Sequence, residues 1–285
     1  MYWLPFALIT AVALSTADAL SKRALKDTDE LAIVWVREGY ALPFLAVALY
    51  FVPAPYLDSA FWAATGALIP LEVLSLILYV KAIKLSPLSL TIPFMALSPI
   101  FIMFIAFVML GEVPSRGGVT GVVLITIGAY LLNSSASKTG PLGPIRAIAK
   151  EKGSLLMIAV ALIYSITSTL GKVAVQHSDP VFFGAFYPFT LTAVLTVYTI
   201  SKGKFSLVFK KPATFLPIGL CTAVMILSHF IAISMTQVAY MISVKRTSLI
   251  FSVLYGKLLF HEINIRERLL GSIIMLSGVV LIVLF

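Results

Sequence analysis

The chain is 285 residues long, 60% hydrophobic and only 12% charged, with a mean hydropathy of +1.04. A soluble domain is about half apolar and about a quarter charged, so this composition excludes a water-soluble globule and makes lipid the solvent. The net charge of +9 does not point to nucleic acid, because the basic residues are scattered between apolar runs, as loop charge in a membrane protein is.

Apolar runs bounded by turn residues or charges give ten predicted transmembrane helices: 3–22, 31–52, 60–80, 86–110, 117–133, 154–175, 181–200, 213–235, 237–260 and 266–285. Each is close to the roughly 20 residues that span a hydrocarbon core. Met1-Tyr2-Trp3-Leu4-Pro5 carries no basic stretch, so the first run is expected to be a retained helix rather than a cleaved signal. Most connections are tight, as at Val52-Pro53-Ala54-Pro55 and Glu112-Val113-Pro114-Ser115. The exception follows Asn133, through Ser134-Ser135-Ala136-Ser137 and Gly140-Pro141-Leu142-Gly143-Pro144. Small, polar and broken by Pro and Gly, it reads as a joint between halves. The expected organisation is a first five-helix unit over 1–136, a linker over 137–153 and a second unit over 154–285. Cys221 is the only cysteine, which excludes an intrachain disulfide and a cysteine metal site.

The two halves repeat one another. Gly111-Glu112, Arg116 and Gly121 return as His261-Glu262, Arg266 and Gly271, each 150 positions later. The same offset aligns Gly128 with Gly278, Ser98 with Ser248, Ala82-Ile83 with Ala232-Ile233, and Ser21-Lys22-x-Ala24 with Gly171-Lys172-x-Ala174. Five helices is an odd number, so the second copy is expected upside down relative to the first, the plan of many secondary transporters. Basic residues then set the orientation. Loops after odd-numbered helices hold fifteen, including Lys22, Arg23, Lys26, Lys81, Lys84, Lys202 and Lys211, against Arg116 and Lys172 on the other side. The odd loops are therefore expected in the cytoplasm and both termini outside, in a multi-pass protein of the plasma or inner membrane.

From Ala82 to Asn133 a specific pattern emerges: Ala-Ile-Lys-Leu-Ser-Pro-Leu-Ser-Leu, then Leu97-Ser98-Pro99-Ile100-Phe101, Leu110-Gly111-Glu112 and a Gly-rich helix. This resembles the EamA branch of the drug/metabolite transporter superfamily. Residues 232–285 resemble it again, with Leu249 where the family has proline. The resemblance implies ten helices, a central cavity between halves and alternating access. It implies no particular substrate, and it favours cytoplasmic termini where the charge count favours outside.

Charges inside the runs need a reason, since one at mid-membrane costs about 2.5–3.5 kcal/mol on insertion scales. Helical rise puts Glu72 roughly 18 Å, Lys245 and Arg246 roughly 12–13 Å and His229 roughly 9 Å from the outer ends of their helices, with Lys172 nearer that surface. Three positives against one negative ask for an anionic ligand. Arg grips carboxylate or phosphate in a bidentate fork, while Lys acts as a point charge. A structural Glu72–Arg246 ion pair, with Lys245 snorkelling outward, is the bland alternative. Lys172, Lys245 and Arg246 are also similar in kind to basic residues of the plant plastid phosphate translocators of the same superfamily. Asp18 and Arg37, with Glu38 beside them, are expected on the cytoplasmic side as a structural pair or a gate. Glu112 and Glu262, each four residues before an arginine, read as turn structure. Tyr164, Tyr187, Tyr240 and Tyr255 are candidates to line a cavity, and His177 reads as a solvated loop residue.

The sequence holds no nucleotide-binding phosphate loop, no His-Glu-x-x-His and no Gly-x-Ser-x-Gly turn. The expectation is thus a non-enzymatic, monomeric secondary transporter without cofactor or metal. Its cargo is a small anionic or zwitterionic metabolite held by Lys245, Arg246, Glu72 and His229, with Lys172 at the mouth. Two alternatives are an exporter that binds a ligand ammonium at Glu72 and a component of a lipid-linked-sugar flippase.

Overall fold

In lipid every backbone N–H and C=O must be satisfied internally, which selects helix over open strand. The computed structural model describes residues 2–86, 88–113, 115–131, 151–261 and 265–284, and among these residues it contains helices and no strand. The first half comprises α1 (Trp3–Ala24), α2 (Glu30–Gly39), α3 (Leu42–Tyr50), α4 (Ser59–Leu85), a single turn α5 (Leu88–Thr91), a 3₁₀ segment (Ile92–Leu97), α6 (Ser98–Leu110) and α7 (Arg116–Leu131). The second comprises α8 (Lys152–Gln176), α9 (Pro180–Ser201), a 3₁₀ turn (Phe205–Phe209), α10 (Pro212–Ser234), α11 (Val238–Lys245), α12 (Ser248–Phe260) and α13 (Ile265–Leu284). Most of the expected linker, and Glu262, lie outside the described residues.

Among the described residues seven stretches are long and apolar enough to cross a membrane: Trp3–Ala24, Glu30–Tyr50, Ser59–Leu85, Lys152–Gln176, Pro180–Ser201, Pro212–Ser234 and Val238–Phe260. The fourth, fifth and tenth predicted runs contain shorter apolar helices instead: Phe101–Leu110, Arg116–Gly128 and Leu269–Leu281. The fourth is shortened because the chain passes through a 3₁₀ segment, with prolines in the first turn of both that segment and α6, where a missing N–H costs little. The ninth run breaks at the matching place, where α11 ends and α12 begins, although no proline stands there. Its i+3 bonds from Leu249 and Ile250 back to Arg246 and Thr247, 3.0 and 2.9 Å, tighten the chain locally.

Caps also repeat. Asp29 accepts from the Leu31 amide at 3.0 Å to start α2, and Asp179, 150 positions on, accepts from Val181 at 2.8 Å to start α9.

Packing joins the halves reciprocally. The most extensive contacts are α7 on α13, then α4 on α8 and α1 on α10. The last two exchange under the 150-residue offset, and the first maps onto itself. Between α7 and α13 the approach is so close that a Cβ on Gly128 would meet the Gly271 carbonyl at 2.5 Å, and one on Gly278 the Gly121 carbonyl at 2.5 Å. Lipid offers no hydrophobic drive to helix association, so such small-residue crossings and interhelical hydrogen bonds supply it. One such bond joins Thr10 Oγ1 and Ser228 Oγ at 2.8 Å between α1 and α10. Large apolar side chains such as Val197, Phe104 and Leu258 remain two-thirds or more exposed, available to lipid.

Candidate functional site

The helices enclose a cavity of about 100 Å³, lined from α1, α2, α4, α8, α9, α10 and α11. Four pairs of its lining positions are related by the same offset. Leu14 and Tyr164, Arg37 and Tyr187, Leu76 and Ile226, Tyr79 and His229 all face it. Duplication thus supplied the positions, and different side chains fill them in each half.

In one group the acid is fully partnered, although the Nε of the arginine beside it has no hydrogen-bond partner among the described residues. Arg37 Nη1 donates to Asp18 Oδ1 at 2.7 Å and lies 3.3 Å from Ser21 Oγ, while the Tyr79 hydroxyl donates to Asp18 Oδ2 at 2.6 Å. The guanidinium also sits 5.5 Å from the Tyr79 ring centre. With both side chains at most 4% exposed, the acid depends on these partners for its solvation. The sequence placed this pair on the cytoplasmic side, away from the other charges. In the fold Arg37 lines the same cavity as Glu72, Lys245 and Arg246, because it lies past the middle of α2.

The other group is incomplete. Arg246 sits at the break after α11, where its Nε donates to Ser98 Oγ at 2.9 Å. Lys245 Nζ lies 3.5 Å from His229 Nδ1. Among the described residues no carboxylate oxygen comes within 4.0 Å of either cation, so Glu72 and Arg246 do not form a direct ion pair. Glu72 instead shares the cavity wall with Thr167 and Tyr187. Glu38, only 5% exposed, also lines the cavity, and its Oε2 has no hydrogen-bond partner among the described residues.

Lys172 does not line the cavity. It pairs with Glu112 and donates to the Thr236 carbonyl at 2.7 Å. Lys22, its counterpart, donates to the Ser86 carbonyl at 2.7 Å, so this contact too repeats at the offset. Glu112 does not serve Arg116. Its second oxygen accepts from the Val238 amide at 2.9 Å, because the start of α11 offers free N–H groups. The excess of three positives over one negative therefore disappears. Lys172 leaves with Glu112, while Glu38, Asp18 and Arg37 join, and the set at the cavity comprises three acids and three cations, of which Glu72 and Lys245 are only partly buried.

One family model, that of the EamA-like transporter family, matches both halves, over residues 1–134 and 151–284. The chain belongs to this family. A solved crystal structure aligns to this EamA-like chain with a TM-score of 0.70 at 15% identity, over 96% of this chain and 94% of the other, which shows a shared fold. Comparison with curated proteins finds no match.

Of the residues singled out from the sequence, the EamA-like fold brings Glu72, His229, Lys245, Arg246, Arg37, Tyr164 and Tyr187 to one cavity, with Asp18 behind Arg37. It leaves out Lys172, Tyr240 and Tyr255. Tyr240 accepts from the Ser115 amide at 2.7 Å, and Tyr255 bonds Thr16 at 2.8 Å. His177 reaches Asp58 at 2.7 Å. Sequence reasoning gave Glu38 no role of its own. Its signal was available, as a carboxylate inside an apolar run with no basic residue three or four positions away.

Proposed function

We propose that this EamA-like membrane transporter is a secondary transporter. It moves a small metabolite bearing a carboxylate or phosphate, anionic or zwitterionic, by alternating access. One observation carries the reading: Lys245 and Arg246 face the cavity with no carboxylate within ion-pair distance among the described residues. Uncompensated charge at membrane depth is costly and marks substrate paths. The helix break at 246–247 puts irregular backbone where Arg246 borders the cavity, as transporters do.

In this reading ten helices cross the membrane as two inverted five-helix units, 1–136 and 154–285, joined by 137–153. Reciprocal packing of α4 on α8 and α1 on α10 supports it. The basic ends at 22–26, 81–84 and 202–211 face the cytoplasm, with both termini outside in the plasma or inner membrane. The transporter works as a monomer in lipid, without cofactor, metal or nucleic acid.

The test is a thermal-shift panel on detergent-purified protein, wild type beside Lys245→Gln. Phosphorylated metabolites, carboxylates, amino acids and lipophilic cations make up the panel, since a ligand that prefers the folded state raises its stability. Stabilisation by carboxylates or phosphates, lost in Lys245→Gln, is expected. Stabilisation by cations alone, unchanged in that variant and lost in Glu72→Gln, would replace this reading with export of a cationic ligand.

A further inference from the structure

Ion pairs tie the two halves together at matching places on opposite ends of the bundle. At one end the turn between α1 and α2 meets the connection between α9 and α10. There Asp29 pairs with Lys204 at 3.1 Å and Asp27 with Lys211 at 3.3 Å. At the other end the turn between α8 and α9 meets the connection between α3 and α4, and His177 Nδ1 lies 2.7 Å from Asp58 Oδ2. Position 177 is position 27 one repeat later, so one seam is built twice, with the first half supplying the acid each time. Asp29 and Asp58 each give Oδ1 to a helix-start amide, of Leu31 at 3.0 Å and Phe61 at 2.9 Å, and turn Oδ2 to the base. A carboxylate already fixed in this way loses little freedom in forming an exposed ion pair.

The seams differ in what else holds them and in what titrates. Beside the lysine pairs, Trp35 Nε1 donates to Thr196 Oγ1 at 2.7 Å and the Tyr40 hydroxyl to the Val208 carbonyl at 2.9 Å. One turn into the bundle from the histidine pair stands a row of edge-on rings, Phe61 to Phe183 at 5.9 Å and Phe183 to Phe230 at 4.9 Å. Phe61 and Phe183 are fully buried, and Phe230 lines the cavity. Cargo passing between α4 and α9 must part Phe61 from Phe183. It must also part Asp58 from His177, because Asp58 holds the Phe61 amide. Histidine changes charge between about pH 5 and 8, where lysine does not. The His177 and Asp58 side chains are 41% and 37% exposed, so solvent protons reach both. Nearby charges are otherwise engaged: Asp179 caps α9 through the Val181 and Phe182 amides, and Lys172 pairs with Glu112. Tyr56 is the other ionisable residue of the 51–58 connection, and α9 carries no charged residue.

We infer that His177 and Asp58 form a proton-operated latch on one of the two access seams, while the lysine seam opposite is indifferent to pH. This rests on the alternating-access reading above and adds its regulation. An imidazolium pairs with the carboxylate by charge, whereas a neutral ring offers at most a hydrogen bond. The closed seam therefore binds the proton more tightly than the open one. Closure is favoured at low pH and released as pH rises through the histidine range, a shift set by the difference in proton affinity between the two states.

The test uses the full chain in sealed vesicles of either orientation, with Cys221→Ser and a reporter thiol at Ser168→Cys on the cavity wall. A separate reporter, Tyr56→Cys, at a position 89% exposed, identifies the vesicle face that carries the histidine seam. A membrane-impermeant methanethiosulfonate is added to that face. Its rate with Ser168→Cys, divided by its rate with Tyr56→Cys at the same pH, corrects for the titration of the thiol itself. The ratio should rise about two- to fivefold from about pH 5.5 to about pH 8, the range an exposed ion pair commands. His177→Lys should hold it low at both pH values, and His177→Gln and Asp58→Asn should hold it high at both. From the opposite face the ratio should not rise with pH.

A flat wild-type ratio, or a rise that persists in both His177→Lys and His177→Gln, would overturn the latch. If Ser168→Cys still reacts from both faces in that case, alternating access stands and the latch alone is lost. A thiol that one face never reaches, at any pH or in any variant, would count against alternating access itself. The wild-type pH comparison needs no change at the latch, so it decides the matter even where a latch variant fails to fold.

Discussion

Two groups of charge meet at one cavity and differ in whether the protein supplies the counter-charge at ion-pair distance. Around Asp18 each oxygen has a donor, from Arg37 and from Tyr79, at 2.7 and 2.6 Å. Around Lys245 and Arg246 the protein offers an imidazole nitrogen and a serine hydroxyl, and among the described residues no carboxylate within ion-pair distance. Since burial costs both groups alike, the difference lies in what repays it: the fold itself for the first, a ligand for the second. The first group should therefore govern stability and the second should govern binding.

Arg37→Met offers the sharpest way to break that contrast. It strands Asp18 and should cost about 3–5 kcal/mol, read as a loss of folded protein on size exclusion and a fall in melting temperature. Lys245→Gln should melt at or above the wild-type temperature without ligand, because it removes a charge the fold leaves uncompensated. If Arg37→Met melts like wild type while Lys245→Gln collapses, the roles are reversed. Adding Asp18→Asn to Arg37→Met should recover much of the loss, since neither charge is then left alone. Tyr79→Phe sharpens the contrast further. Removing a hydroxyl that serves a charged acceptor should cost about 2 kcal/mol, read as a fall in melting temperature.

The smallest effect lies outside the membrane. The Phe61 amide and His177 hold the exposed Asp58 carboxyl below its ordinary 3.8. A lowered carboxyl stabilises the fold above its unfolded value, and that contribution fades as pH falls through the folded one. Melting temperature should therefore drop slightly more for wild type than for Asp58→Asn on going from pH 6 to below about 3.5. Equal slopes would remove the His177–Asp58 contact from the stability of this end.

Hydrophobic run length made most of the helices legible, because lipid leaves the backbone few alternatives. Pro93 and Pro99 announced irregularity in the fourth run. Nothing announced it in the ninth, where Leu249 stands in place of the family's proline and the break rests on backbone bonds at 246–250. Depth along each helix correctly suggested that Glu72, His229, Lys245 and Arg246 could meet. It failed for Arg37, since depth is measured along one helix and cavity membership depends on how helices lean together. Lys172 was misassigned for a related reason. Its acid, Glu112, sits 60 positions away in the other half, a pairing that no local pattern encodes. Asp29 and Asp179, as twin caps 150 apart, were legible in principle, being a first-turn carboxylate before each second helix.

The glycine crossing of α7 and α13 has a consequence for any saturation-mutagenesis map of this gene. Positions 128 and 278 each face a backbone carbonyl, which cannot rotate aside as a side chain can. Both should therefore appear as narrow intolerant sites, spaced by one repeat. The cavity charges have no such twins: Glu38 corresponds to Pro188, Glu72 to Thr222, Lys245 to Met95 and Arg246 to Ala96. Subtracting one half of the map from the other should thus cancel the scaffold and leave the transport site as the residual.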